Sequence, residues 1–157
     1  WVRRYERGQC AREEFARGMV EENTLDVTPE AFLRLFRSWP RGLFPGAEAL
    51  VRAVDPHLTV ACLSNTNELH WAEQKDAARV QELFERRFLS HEIGLVKPDR
   101  AIFDHVADAL GHAAETIFFL DDNAINVEGA LAAGWDAEQA GGVEAAQHIL
   151  ARRRLLA

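Results

Sequence analysis

The pattern of apolar and polar residues changes period near residue 45. Before it the spacing is helical: Phe15 and Met19 lie four apart, and Phe32, Leu33 and Phe36 share one face of a later segment. Thr28-Pro29 is a helix start, with threonine as N-cap and proline at the first helical position. Trp39-Pro40-Arg41-Gly42 and Pro45-Gly46 then break the pattern and mark a boundary. Beyond it, strands and helices alternate. A helix is predicted over residues 47–54, and 58–63 is a short apolar run typical of a strand buried on both faces. Helix is expected over 76–86, with Val80, Leu83 and Phe84 on one side, and a short strand over 87–90. Lys97-Pro98 opens a helix whose apolar stripe is Ile102, Phe103, Val106 and Leu110. Residues 116–120 form the clearest strand, followed by a helix over 127–133, an edge strand near 135–140 and a last helix from Val143. This alternation predicts an α/β fold built on a doubly wound parallel sheet with helices on both faces. An all-helical part over 1–45 precedes that α/β core over 46–157.

At 157 residues and 17.7 kDa the chain can bury a core as one domain, or as one domain with a small insert. A net charge of −7 leaves no surplus of Lys and Arg to neutralise phosphates, so nucleic acid is not the expected partner. Arg152-Arg153-Arg154 is the local exception and reads as a solvated helix end, where cations meet the negative end of the dipole. No apolar run reaches the length of a membrane span and no basic-then-apolar leader is visible, so no membrane is expected and the expected location is the cytoplasm. Cys62 reads as a small buried hydrophobe and Cys10 as an incidental thiol, which suits a reducing compartment. Met19 is the only methionine and the first residue is Trp1, so an upstream segment is expected. Nothing in the pattern sets the oligomeric state; a monomer or weak homodimer is the expectation.

Ligands of an open parallel sheet bind beyond the carboxyl ends of its strands. Residues 58–63 are followed by Ser64-Asn65-Thr66-Asn67, and 116–120 by Asp121-Asp122-Asn123. Lys97 stands between them at a helix start. If the strands are neighbours, the three groups meet at one sheet edge. Adjacent carboxylates repel unless a cation compensates them, and Mg²⁺ is commonly held by one or two carboxylates plus a substrate phosphate. A hydroxyl from Ser64, a donor from Asn65 and the point charge of Lys97 would complete a phosphate cradle. Taken alone, Asp121-Asp122-Asn123 is equally a turn with an N-cap; the order of all three groups favours the cradle. His57, His70, His91, His105, His112 and His148 include no zinc-binding spacing. His70 is expected to pack or face solvent, with the border of a substrate pocket as the alternative, and Trp39 and Trp71 are expected in the core. No Gly-x-x-x-x-Gly-Lys loop occurs.

These residues resemble the motifs of the haloacid dehalogenase-like (HAD) hydrolase superfamily. Its second motif is matched by Leu63-Ser64-Asn65-Thr66-Asn67, and its third by Gly94-Leu95-Val96-Lys97-Pro98-Asp99 with Ile102-Phe103 following. The fourth is matched by Phe119-Leu120-Asp121-Asp122-Asn123 with Asn126, Gly129-Ala130 and Gly134. With His70 and Tyr5-Glu6-Arg7-Gly8, the chain looks most like the branch of sugar-phosphate phosphatases and the N-terminal phosphatase domain of epoxide hydrolases. The resemblance implies a Mg²⁺-dependent phosphatase working through an aspartyl-phosphate on a small phosphorylated metabolite. It implies catalytic roles for Ser64, Lys97 and Asp121, phosphoryl contacts from Ser64, Asn65 and Lys97, and a Mg²⁺ site of Asp122 and Asp121, with Asp122 the direct ligand and Asp121 acting through water or Lys97. Asn126 would orient the acidic loop, and residues 1–45 would form the helical cap that selects the substrate.

The family's first motif, Asp-x-Asp at the end of a central strand, does not occur in residues 1–157. The nucleophile is therefore expected upstream of Trp1, the sheet is expected to be split, and these 157 residues alone are expected to be inactive. A 2-haloacid dehalogenase is the nearest alternative; those enzymes resemble one another in lacking the acidic pair, so Asp121-Asp122 favours phosphate esters. In a response-regulator receiver the acidic pair comes first and the lysine last, the opposite of the order here. A binding protein that kept the fold without catalysis, or a truncated fragment, is the remaining alternative; a buried charge cluster is costly to keep without use.

Overall fold

The computed structural model describes residues 1–73 and 76–157. The elements are α1 (Val2–Glu6), α2 (Arg12–Glu22), α3 (Pro29–Arg37), α4 (Ala47–Arg52), β1 (Ala61–Ser64), α5 (Glu68–Glu73), α6 (Ala77–Leu83), β2 (Arg86–Leu89) and α7 (Ser90–Ile93). There follow α8 (Arg100–Leu110), a 3₁₀ turn at Ala114–Thr116, β3 (Phe118–Asp121), α9 (Ala124–Ala132), β4 (Asp136–Gln139) and α10 (Val143–Arg152). The α/β class is as expected, and both strand pairs are parallel. The described strands form two pairs, β1 with β2 and β3 with β4.

The chain forms two compact units, Trp1–Leu43 with Ala61–Val96, and Phe44–Val60 with Lys97–Ala157. The first unit is centred on aromatic packing. Phe15 stacks on Tyr5 with ring centroids 4.4 Å apart and lies 5.7 Å from Phe32 and 5.0 Å from Phe36. Ala16 and Leu69 complete this buried cluster, and Met19 and Leu33 pack on it. Thr28 caps α3 as its sequence predicts, its hydroxyl accepting from the Ala31 N–H at 3.2 Å. Gly8 has a positive φ of +64°, and a Cβ there would lie 2.3 Å from the His91 carbonyl oxygen, so only glycine lets this turn pass over α7.

The second unit has its own aromatic core. Phe103 of α8, Phe119 of β3 and Trp135 meet edge to face at centroid distances of 5.2–5.9 Å. Ile102 and Val106 are buried on the same stripe of α8, while Leu110 at its end is half-buried. The chain end is tied down by an isolated antiparallel bridge between Val54 and Leu156.

Local turn chemistry shifts several expected boundaries. The run over 58–63 yields a strand only from Ala61, and every residue of β1 is half-buried rather than buried, Cys62 included. Asp55 accounts for the late start: its carboxylate accepts from the His57 N–H and its carbonyl from the Leu58 N–H, both at 2.9 Å, so Leu58 belongs to a turn. Among the described residues β1 pairs with β2 alone. β3 likewise starts after the 3₁₀ turn, but it reaches one residue further and takes in Asp121. Trp39, expected in the core, is 63% exposed: it lies past the end of α3, its ring tilted against Phe36 with centroids 5.1 Å apart. Trp71 is half-buried. The arginines at the end of α10 are not simply solvated. Arg152 pairs with Glu138, and Arg153 pairs with Asp136 and Glu138 while its guanidinium lies 4.1 Å from the Phe118 ring centroid.

Candidate active site

The second unit brings Lys97, Asp121 and Asn126 together. Lys97 lies in the loop before α8, two residues ahead of its N-cap Asp99, rather than in the helix itself. Asp121 closes β3, in register with Gln139 of β4. Lys97 Nζ donates to Asp121 Oδ2 at 2.5 Å, and both side chains are nearly buried, with 7% and 6% of their surface exposed. Asp121 Oδ1 accepts from the Asn123 backbone N–H and from Asn126 Nδ2, each at 2.9 Å. Burial by itself would push the Asp121 carboxyl up; the hydrogen bonds from Lys97, Asn123 and Asn126 outweigh it and hold the group below its ordinary value of 3.8. Asp121 is thus a carboxylate kept ionised in a nearly dry place.

The sharp turn into α9 makes this possible. Asn123 caps the helix, its side chain accepting from the Ile125 N–H at 3.0 Å, and Asn126 is carried on the first turn and reaches back to Asp121. Asp122 departs from the expected buried pair. Its side chain is exposed, and its backbone carbonyl accepts from Gln139 Nε2 at 2.8 Å. The two carboxylates therefore differ in environment, one paired and buried, the other hydrated.

Among the described residues no three His, Cys, Asp or Glu side chains form a ready-made metal cluster. Mg²⁺ does not need one, because it retains several waters and takes one or two protein carboxylates. Asp122 has no side-chain partner among the described residues, so its carboxylate together with Asp121 suits that mode of binding.

In the first unit, Ser64 ends β1 and is half-buried, as is Asn65. Thr66 and Asn67 are buried. Sequence reasoning passed over Ser90, which is fully buried and whose hydroxyl both accepts from the Thr66 N–H and donates to the Thr66 carbonyl, each at 2.9 Å. The available signal was a serine directly after the apolar end of β2, one residue beyond the Ser64–Leu89 pairing. A cavity of 360 Å³ in the same unit is lined by Tyr5, Gly8, Cys10, Arg12, Glu68 and His91 and contains none of the expected site residues.

Close packing holds the lysine loop. A Cβ on Gly129 of α9 would lie 2.7 Å from the Pro98 carbonyl oxygen and 2.8 Å from Pro98 Cβ. Glycine to alanine inside an exposed helix normally adds about 0.5–1 kcal/mol of stability. Gly129→Ala is expected to do the reverse, costing about 1–3 kcal/mol by overpacking against Pro98. A thermal unfolding curve checks the sign; a stabilised variant would show that α9 does not bear on the Lys97 loop.

The chain belongs to the haloacid dehalogenase-like hydrolase family, which it matches over residues 4–134. Among solved structures, a HAD family enzyme of Bacteroides thetaiotaomicron in complex with magnesium and inorganic phosphate is 26% identical. It superposes with a TM-score of 0.71 over 87% of this chain and 72% of its own. A HAD-like family hydrolase of Porphyromonas gingivalis is 20% identical, with a TM-score of 0.77 over 96% of this chain and 77% of its own. The L-2-haloacid dehalogenase of Xanthobacter autotrophicus, with chloropropionic acid covalently bound, is 20% identical, with a TM-score of 0.68 over 98% of this chain and 66% of its own. At that identity the last two speak for the fold alone. No helix among the described residues is long and apolar enough to cross a membrane.

Proposed function

We propose that this hydrolase is a Mg²⁺-dependent phosphatase acting on a small phosphorylated metabolite, with a sugar phosphate as the first class to test. The observation that carries the reading is the buried Lys97–Asp121 pair beside an exposed Asp122 whose carboxylate has no partner among the described residues. A cation fixed next to a hydrated carboxylate suits a dianionic ester better than a neutral carbon–halogen bond. The magnesium and phosphate complex of the Bacteroides enzyme supports the same chemistry.

In this reading Lys97 holds a phosphoryl oxygen and keeps Asp121 ionised, and Ser64 and Asn65 donate to the remaining oxygens. Asp122 would be the direct ligand of Mg²⁺, and Asp121 would act on it through a bridging water while Lys97 offsets its charge. Bound there, Mg²⁺ would offset the negative charge of the carboxylates and of the phosphoryl group. Asn126 keeps Asp121 oriented. The nucleophilic aspartate, and a second aspartate serving as general acid and then base, are assigned to a segment preceding Trp1. Residues 1–45 are assigned to the cap that selects the substrate and 46–157 to the catalytic core.

The test is release of phosphate from p-nitrophenyl phosphate and a panel of sugar phosphates, against release of chloride from 2-chloropropionate, by protein carrying its upstream segment. Mg²⁺-dependent phosphate release is expected; halide release without it would overturn the proposal. Asp122→Asn is expected to weaken Mg²⁺ binding by about tenfold or more, the scale seen on losing even a supporting partner of a metal site. An unchanged Mg²⁺ titration would remove Asp122 from the metal site.

A further inference from the structure

The hydrogen bonds around His70, at the start of α5, place its protons. The His70 backbone N–H donates to Asn67 Oδ1 at 3.0 Å, which fixes the orientation of the Asn67 amide. Its NH₂ is therefore the group 3.3 Å from His70 Nδ1. An amide NH₂ has only protons to offer, so Nδ1 is the acceptor and the ring proton sits on Nε2. That Nε2–H donates to the Phe36 carbonyl oxygen at 2.7 Å, at the C-terminal end of α3. The ring also stacks on Phe36, with centroids 4.1 Å apart. His70 is thus bonded on one side to the end of α3 and on the other to the polar loop after β1. The far side of the same loop is held by the buried Ser90.

We propose that neutral His70 is a positioning residue that ties the loop over residues 64–67 to the end of α3, so that the loop keeps its geometry only while the imidazole is uncharged. The consequence for phosphate rests on the role given above to Ser64 and Asn65. Protonation would set a second donor on Nδ1 against the Asn67 NH₂. Either the amide turns over and gives up its cap on α5, or the ring leaves the Phe36 carbonyl.

Among the described residues, the carboxylates of α5 pair with arginines of α2 and α3. Arg37 of α3 pairs with Glu73 of α5 at 2.8 Å, and Arg12 of α2 pairs with Glu68 at 2.9 Å and Glu73 at 3.7 Å. Asp76, before α6, accepts from the Leu43 N–H. None of these is a partner of the ring. Burial lowers the His70 pKa below its ordinary 6.5, with the Phe36 carbonyl opposing. A group depressed in this way stabilises the fold above pH 6.5 and loses that contribution as pH falls toward its folded value.

Three measurements test the proposal. The ¹⁵N spectrum of the wild-type imidazole should show a pyridine-type Nδ1 and a pyrrole-type Nε2 at neutral pH; the opposite tautomer, or titration at or above the ordinary value, would overturn it. Amide exchange at Thr66 and His70 should quicken in His70→Leu and stay slow in His70→Gln, whose amide can donate to Phe36 and accept from Asn67 without titrating. With p-nitrophenyl phosphate and Mg²⁺, His70→Leu should raise KM about threefold to tenfold, the worth of one hydrogen bond, with kcat little changed. His70→Gln should keep the neutral-pH KM and lose the rise in KM on the acid side. Wild-type behaviour of both variants in exchange and in KM would overturn the proposal. If neither wild type nor variant releases phosphate, the phosphatase reading fails, and the spectrum and the exchange rates alone decide the role of His70.

Discussion

Lys97→Met is expected to abolish phosphate release and to cost about 3 kcal/mol of stability at neutral pH, because it strands a buried carboxylate. Asp121 would keep its bonds from Asn123 and Asn126, but neither carries charge, and its side chain is 6% exposed. The remedy open to it is a proton, so the cost shrinks as pH falls. In the wild type the sign is that of a depressed carboxyl. The Asp121 contribution is present in full above pH 3.8 and is lost as pH falls through its lower folded value. Urea unfolding of both proteins from pH 3 to pH 8 checks this. Adding Asp121→Asn to Lys97→Met should recover most of the stability and none of the activity. A Lys97→Met protein as stable as wild type at every pH would mean that the pair carries no charge in the folded state. Near-normal phosphate release by it would remove Lys97 from catalysis.

Phe15→Ala has the largest expected effect away from the site, about 3–5 kcal/mol. Phe15 is fully buried, stacks on Tyr5 and touches both aromatic residues of α3, so its loss opens a cavity between three helices at once. Tyr5 also has its hydroxyl 3.5 Å from Glu68, and burial together with that carboxylate pushes its pKa up to about 12. Tyr5 therefore stays neutral and cannot swing out to fill the gap without giving up that contact. The measurement is the urea midpoint, with the slope m unchanged if the variant still unfolds in one step. A loss under about 1 kcal/mol would show that the cluster collapses around the missing ring.

Residues close together in sequence were the legible part. Thr28-Pro29 announced the start of α3, the apolar stripe of α8 named Ile102, Phe103 and Val106 as core, and the alternation of strands and helices set the α/β class. The polar ends of two apolar runs pointed to Ser64 and to Asp121-Asp122, because chemistry at a strand end shows itself as a hydrophobic run with polar residues directly after it, whereas Lys97 stood out at an expected helix start. Misplaced boundaries had equally local causes: the turn at Asp55 takes Leu58 out of β1.

The periodicity of the chain, its fold class and the order of its motifs are all carried by spacings of a few residues. Tertiary structure alone decided which carboxylate is dry and which is wet, since Asp121 lies under Lys97 and Asp122, its neighbour, lies outside. It likewise decided that Trp39 is exposed, that Arg153 spans Asp136, Glu138 and Phe118, that Ser90 holds Thr66 and that His70 carries its proton on Nε2. Each of these depends on groups that folding brings together from distant positions, and burial and hydrogen-bond partners at such range leave no period in the sequence.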